Sequence, residues 1–244
     1  MQKRLNKRFE SFALSQSGCD GGNLKSDIWV CGLEWGVDVK SLNDLNKIME
    51  GPFNTASWDG EIQQRLKYPY NNKIAWLFSY LFKWEENHKK AAENHRMMCF
   101  DGTGYKMNAF PIPFKNRSSV SWSKDMADLI GLHSFEVYLE WCIENRGKYF
   151  QELVKENSPK MIVCTGKNTT MAFLRFFGCD MTSVDSGENF TVAKCNESKT
   201  LVFVTPFFGG ASGINSFEKM KALADEIKKY AESCASISFS RSSK

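Results

Sequence analysis

Four short runs of mostly apolar residues punctuate this chain: 27–32, 105–110, 161–166 and 201–206. Three end at a glycine or a proline, as in Asp27-Ile28-Trp29-Val30-Cys31-Gly32. Unbroken apolar runs of this length suit strands covered on both faces, as in a parallel sheet packed between helices. Between them the apolar positions change to helical spacing. Ile74, Leu77, Phe78 and Leu81 form one such stripe. A longer pattern from Ser134 to Asn157 carries Phe135, Val137, Tyr138, Trp141, Ile143, Phe150, Leu153 and Val154, and stops before Pro159. A third helix is predicted from Asn168 to Phe177, closed by Gly178, and a fourth from Ser216, as N-cap, to about Cys234. This alternation predicts an α/β fold, a three-layer α/β/α sandwich around a central, mainly parallel sheet of about four strands. Phe190 to Cys195 is a candidate additional strand beside Leu201 to Val204. Residues 1–235 read as one domain, and the Ser-rich stretch 236–244 as a flexible tail.

Composition narrows the function only slightly. Of the 244 residues, 42% are hydrophobic and 25% charged, an ordinary balance for a chain with a substantial core. A net charge of +4 permits a nucleic-acid partner without demanding one. The basic start, Lys3 to Arg8, has no apolar region after it, which argues against a secretory signal, and no run approaches the ~20 apolar residues of a membrane span. The expectation is a cytoplasmic monomer. The eight cysteines are scattered, with no C-x-x-C pair, and the three histidines lack ligand spacing. Buried reduced thiols, with no metal and no cofactor, are therefore expected. The chain has neither a Walker loop nor a dinucleotide-binding glycine fingerprint, which counts against chemistry on nucleotide phosphates.

In folds of this class ligands bind where loops leave the carboxyl ends of the strands. That rule selects residues 32–38, 108–116, 166–169 and 205–215. The turn Gly32-Leu33-Glu34-Trp35-Gly36 is, by itself, an ordinary strand-to-helix turn. Asn108 is an amide inside an apolar strand, costly unless satisfied, and suited either to a ligand edge or to holding backbone. The stretch Phe207-Phe208-Gly209-Gly210-Ala211-Ser212-Gly213 is a glycine-rich loop carrying two aromatic rings. Lys40, Lys115, Arg117 and Lys167 follow the strand ends as phosphate contacts or as plain surface charges.

In order, these segments resemble the uracil-DNA glycosylase superfamily over about residues 26–230. Gly32-Leu33-Glu34-Trp35-Gly36 is similar to the family's first motif, with Glu34 in the place of the water-activating residue and Trp35 in that of the usual proline. Glu50-Gly51-Pro52-Phe53-Asn54 resembles the segment whose aromatic ring stacks on the extruded base. Met107 to Pro113 resembles the segment whose asparagine reads the base edge. The run from Pro159 to Gly166 looks like the family's third strand. Thr205 to Gly213 stands where the family has His-Pro-Ser and a loop that wedges into the duplex.

The resemblance implies a monofunctional DNA glycosylase that flips out a base and hydrolyses its N-glycosidic bond with water. Glu34 would be the catalytic base, with Asp38 second; a helix-capping role is the plain alternative for Glu34. Gly32, Leu33, Trp35, Gly36, Phe53, Asn108 and Thr205 would line the substrate pocket, although Phe53 also suits an ordinary core. Phe207, Phe208, Gly209, Gly210, Ser212 and Lys167 would meet DNA. Trp35 for proline and Thr205 for histidine depart from the family, and the cysteine set of its iron–sulfur branches is missing. These departures point away from plain uracil. Among outlying members, bacteriophage-inhibiting glycosylases attack hypermodified cytosines such as glucosylated hydroxymethylcytosine, an antiviral role. The alternatives are a repair glycosylase for uracil or a damaged base, an inert glycosylase-fold protein that binds nucleic acid or another protein, and a nucleotide- or nucleoside-processing enzyme.

Overall fold

The computed structural model describes residues 4–34, 41–51, 53, 56–84, 86–114, 122–211 and 213–235. In chain order the elements are α1 (Lys7–Ala13), β1 (Gly21–Gly22), β2 (Ile28–Gly32), α2 (Leu42–Ile48), α3 (Ile62–Arg65), α4 (Pro69–Leu81), α5 (His88–Asn94) and β3 (Tyr105–Asn108). There follow α6 (Lys124–Ile130), α7 (Phe135–Trp141), α8 (Gly147–Asn157), β4 (Met161–Thr165), α9 (Thr170–Phe176), β5 (Asp185–Ser186), β6 (Thr191–Lys194), β7 (Leu201–Thr205) and α10 (Phe217–Ala235).

All seven strands share one sheet, in the order β1-β3-β2-β4-β7-β6-β5. The four apolar runs form its parallel centre, β3, β2, β4 and β7, and every residue of these strands is buried. The sheet is wider than the four strands expected. β1 adds antiparallel to β3 on one edge, and β6 then β5 add antiparallel beyond β7 on the other. β6 is the strand anticipated from Phe190 to Cys195. β1 and β5 have two residues each, too short to leave a hydrophobic period in the sequence.

Alternate residues of the central strands feed two cores. Trp29, Cys31, Tyr105, Met107, Ile162, Cys164, Val202 and Val204 face a core built with Tyr138, Phe150, Phe173 and Phe176 of α7–α9. Ile28, Val30, Met161, Val163, Leu201 and Phe203 face the other, built with Ile74, Phe78 and Leu81 of α4 and Met220, Leu223 and Ile227 of α10. Helices therefore cover both faces of the sheet, which is why its strands read as unbroken apolar runs.

The long pattern after Ser134 is a continuous helical path with a wider π turn, Cys142–Arg146, between α7 and α8. Ser134 Oγ caps α7 by accepting from the Val137 N–H. Ser216 Oγ likewise accepts from the Lys219 N–H at the start of α10. The π turn drives the Arg146 guanidinium into the core at 0% exposure. There it donates to the carbonyls of Ala13 (2.5 Å), Ser15 (2.9 Å), Ser17 (2.8 Å) and Asn108 (3.3 Å) and lies over the Phe150 ring. These four carbonyls and the ring offset much of the cost of burying the charge, although Nε has no hydrogen-bond partner. One side chain thus ties the segment after α1 to the end of β3.

Candidate functional site

The chain order of the four parallel strands fixes where loops diverge. β2 leads to β3 on one side of it, by a path that includes α4, whereas β3 leads back past β2 to β4 by a path that includes α7 and α8, on the opposite face. The connections therefore part company between β2 and β4, and such a switch point leaves a crevice at the carboxyl ends of the two strands. Leu33 and Glu34 leave β2 there, and Gly166 and Lys167 leave β4. The two loops touch: a Cβ built on Gly166 would stand 3.5 Å from Leu33 Cδ1.

The last register position of each parallel strand is polar or small. Gly32 pairs with Asn108 and Thr165 with Thr205, and alternation turns all four toward the α4 and α10 face. Gly32 has a steric reason to be glycine, because a Cβ on it would lie 2.6 Å from Asn108 Oδ1. Tyr70 of α4 reaches over this row, its hydroxyl 2.8 Å from Thr165 Oγ1. Burial pushes the Tyr70 phenol well above its ordinary range, and the Thr165 hydrogen bond only partly opposes that. It is therefore a neutral hydroxyl throughout the physiological pH range.

One register step below Asn108, on the same face, Lys106 is 7% exposed. Its ammonium is 2.6 Å from an Asp20 carboxylate oxygen, 5.3 Å from the Tyr70 ring centroid and 6.0 Å from that of Trp58. Arg65 lies 3.9 Å from the same carboxylate. The resulting cluster of Asp20, Lys106, Tyr70 and Thr165 was not singled out by the sequence reading. The charge of Lys106 inside a fully buried strand was the one local signal for it. Tyr70 and Thr165 are 95 residues apart and gave none.

The anticipated site residues divide into groups. Glu34 is half-buried with Oε2 shielded from solvent, and its charge is felt by the Tyr138 hydroxyl. That hydroxyl accepts from the Ile112 N–H at 3.1 Å, and burial above all pushes its phenol up. Leu33 is half-buried, and its carbonyl accepts from the Phe110 N–H at 2.8 Å, which continues the β2–β3 contact past the strand ends.

Asn108 is 3% exposed and donates from Nδ2 to the Gly18 carbonyl at 2.5 Å. Its amide protons hold backbone in this arrangement. Thr205 is fully buried, and its hydroxyl lies 3.1 Å from both the Cys164 and the Pro206 carbonyls, again backbone partners. Phe53 packs against the core on the other side of the sheet, edge-on to Phe12 at 5.6 Å, rather than over the Asn108 row. It also borders a surface depression of about 370 Å³ with Lys7, Arg8 and Glu50.

The two rings of the glycine-rich loop part company. Phe207 is 53% exposed and stacks on Tyr70, with centroids 5.6 Å apart and planes within 10°. Phe208, expected at the surface to meet DNA, is 1% exposed and packs in the α4–α10 core, which withdraws it from such a contact. The loop closes on itself, the Gly209 and Ile214 N–H groups both donating to the Phe207 carbonyl. Gly213 is indispensable to that turn, since a Cβ there would fall 2.0 Å from the Gly209 carbonyl oxygen. Gly209 is half-buried and Gly210 exposed; Lys167 is exposed at the head of a single 3₁₀ turn before α9. Trp35, Gly36, Asp38, Lys40, Lys115, Arg117 and Ser212 lie outside the described residues, as do Pro52 and Asn54 beside Phe53.

Among the described residues, no group of three or more His, Cys, Asp or Glu side chains is placed to hold a metal ion. Nor is any helix among them long and apolar enough to cross a membrane. At the strand ends the shielded Glu34 carboxylate lies near Tyr138 of the α7–α9 core, while the Tyr70 phenol and the exposed Phe207 ring lie on the α4–α10 side. No protein-family model matches the chain, and no curated protein matches it.

Proposed function

We propose that this chain is a monofunctional DNA glycosylase acting on a modified pyrimidine, with a fold of the uracil-DNA glycosylase kind. The observation that carries the reading is the position of Glu34, a carboxylate with a shielded oxygen at the switch point of a parallel sheet. A carboxylate placed in such a crevice is a recurrent form of general base.

In the proposed reaction the target nucleotide leaves the base stack, because its glycosidic bond is inaccessible inside a duplex. Glu34 takes a proton from water as the water oxygen bonds to C1′ of the sugar. The C1′–N bond breaks, and its electron pair leaves with the base. The Glu34 carboxylate also offsets the positive charge that develops on the sugar. Phe207, backed by Tyr70, supplies an exposed aromatic surface for a neighbouring base, a contact worth about 1–3 kcal/mol. Thr205 brings no imidazole to a departing base anion. Together with Trp35, it favours a substrate other than uracil, and glucosylated hydroxymethylcytosine of phage DNA, excised in antiviral defence, is the first proposed.

The test is a panel of DNAs carrying uracil, hydroxymethyluracil, hydroxymethylcytosine or its glucosylated forms, followed by alkaline cleavage of abasic sites. Strand breaks on one substrate, lost in Glu34→Gln, support the reading and name the base. A second reading, an inert relative that binds nucleic acid, is favoured by one observation: the Asn108 amide and the Thr205 hydroxyl are both engaged with backbone. Intact DNA binding with no breaks on any substrate would select it.

A further inference from the structure

The far edge of the sheet carries a feature independent of the proposed glycosylase chemistry. Cys179, just past α9, and Cys195, just past β6, face each other in an isolated antiparallel bridge. The flanking hydrogen bonds run from the Asp180 N–H to the Lys194 carbonyl and from the Asn196 N–H to the Gly178 carbonyl, both 2.9–3.0 Å. The two cysteines therefore occupy a non-hydrogen-bonded pair, the antiparallel position at which Cα atoms come to about 4.5 Å and side chains lie closest. That separation falls within the Cα range of a disulfide, about 4.4–6.8 Å.

Both thiols are free. We propose that Cys179 and Cys195 form a peroxide-oxidisable dithiol, a modification site that closes to a disulfide across the edge of the sheet.

Access and polarity fit this assignment. Cys195 opens onto a small depression of about 20 Å³, shared with Gly178, Glu197 and Ser198, room for about one water-sized molecule. Hydrogen peroxide is of that size, and a bulky disulfide reagent is not. Cys179 borders a second, wider depression. Hydrogen bonding from Cys179 holds the Cys195 thiol below its usual range, with Ser198 helping, and the same contact pushes Cys179 up. Cys195 is thus the more readily ionised of the two sulfurs, and Cys179 the hydrogen-bond donor.

In the first step the Cys195 sulfur attacks one peroxide oxygen, and the O–O bond breaks. Hydroxide leaves and takes up the thiol proton as water, so the sulfur becomes a sulfenic acid. In the second the Cys179 sulfur attacks the Cys195 sulfur and expels hydroxide, which takes the Cys179 proton. The sum is two thiols and one peroxide giving one disulfide and two waters. The other facing pair, Cys31 and Cys164 in β2 and β4, is 0% exposed at the centre of the sheet, where no such oxidant reaches.

The test uses the whole chain, reduced and then exposed to graded hydrogen peroxide. After alkylation, thiols are counted in denaturant and non-reduced tryptic peptides are mapped. The expected count falls from eight to six and returns to eight with dithiothreitol. The expected linked species joins peptide 176–194 to peptide 195–199. Cys195→Ser should keep all of its remaining thiols at the same peroxide dose. A count that stays at eight, or a linkage between any other two cysteines, overturns the proposal. The peptide map of the unmodified chain decides the matter alone if the variant does not fold.

Discussion

Replacing Asp20 by alanine isolates the energetics of the charged cluster beneath the candidate site. The substitution removes the carboxylate 2.6 Å from the Lys106 ammonium, whose side chain is only 8% exposed. Deleting one member of a buried pair costs about 3–5 kcal/mol, because the remaining charge stays in the protein without its counter-ion. The Trp58 and Tyr70 rings, 6.0 and 5.3 Å from the ammonium, return about 0.5–1 kcal/mol between them. The net expectation is a loss of roughly 2–4 kcal/mol. For a chain of this size that lowers the melting midpoint by roughly 4–16 °C.

Lys106→Met should behave differently. It fills the same space without a charge, and leaves Asp20 more exposed and with Arg65 3.9 Å away, so a cost under about 1.5 kcal/mol is expected. The double variant should recover most of what Asp20→Ala loses. Urea unfolding of the four proteins measures all three terms at once. The reasoning is refuted if Lys106→Met costs as much as Asp20→Ala, or if the double variant is the least stable of the set.

Two further outcomes follow from single side chains. His88 is partly buried, with Nε2 2.7 Å from Asn72 Oδ1; desolvation, then Lys89, lowers its pKa below the ordinary value. A histidine with a depressed folded pKa contributes stability that is present above its unfolded pKa, about 6.5, and lost as pH falls through the folded value. The unmodified chain should therefore lose more stability than His88→Gln between pH 7.5 and pH 5.5, and superimposable urea midpoints would contradict this. Phe207→Ala removes an exposed ring, so it should change stability by less than about 1 kcal/mol while weakening DNA binding by roughly 5–150-fold in fluorescence anisotropy. Unchanged affinity would remove this loop from the DNA-binding surface.

The parts of the fold that were legible in the sequence are those with a physical reason to leave a pattern there. β2, β3, β4 and β7 are covered on both faces, so every position is buried and each appears as an apolar run. α4 and α10 pack one face on the sheet and show helical spacing. The short edge strands are set by backbone pairing alone and leave no such mark. α1 was hidden by its charges: Phe9, Phe12 and Ala13 are buried, but Lys7, Arg8 and Glu10 dominate the segment. The π turn that buries Arg146 is indistinguishable from ordinary helix in sequence, and three of the four carbonyls it donates to lie more than 100 residues away.

The candidate site was legible in a similar measure. Gly32, Glu34, Asn108 and Thr205 were selected because strand ends are where such folds bind ligands. The structure adds that Asn108 and Thr205 serve backbone, and that Tyr70 and Thr165 complete the row. Phe207 and Phe208 are neighbours of one type in one loop, and only packing against α4 and α10 separates an exposed ring from a buried one.

The most direct measurement for the proposed function is free-base release from glucosylated phage DNA and from its unmodified counterpart, read by mass spectrometry alongside an abasic-site count. The account predicts one free modified base per abasic site, no release from unmodified cytosine, and loss of both signals in Glu34→Gln with DNA binding retained. Binding without release by the unmodified chain, across this DNA and the other modified substrates, would contradict the account. Release that persists undiminished in Glu34→Gln would contradict the role given to that carboxylate.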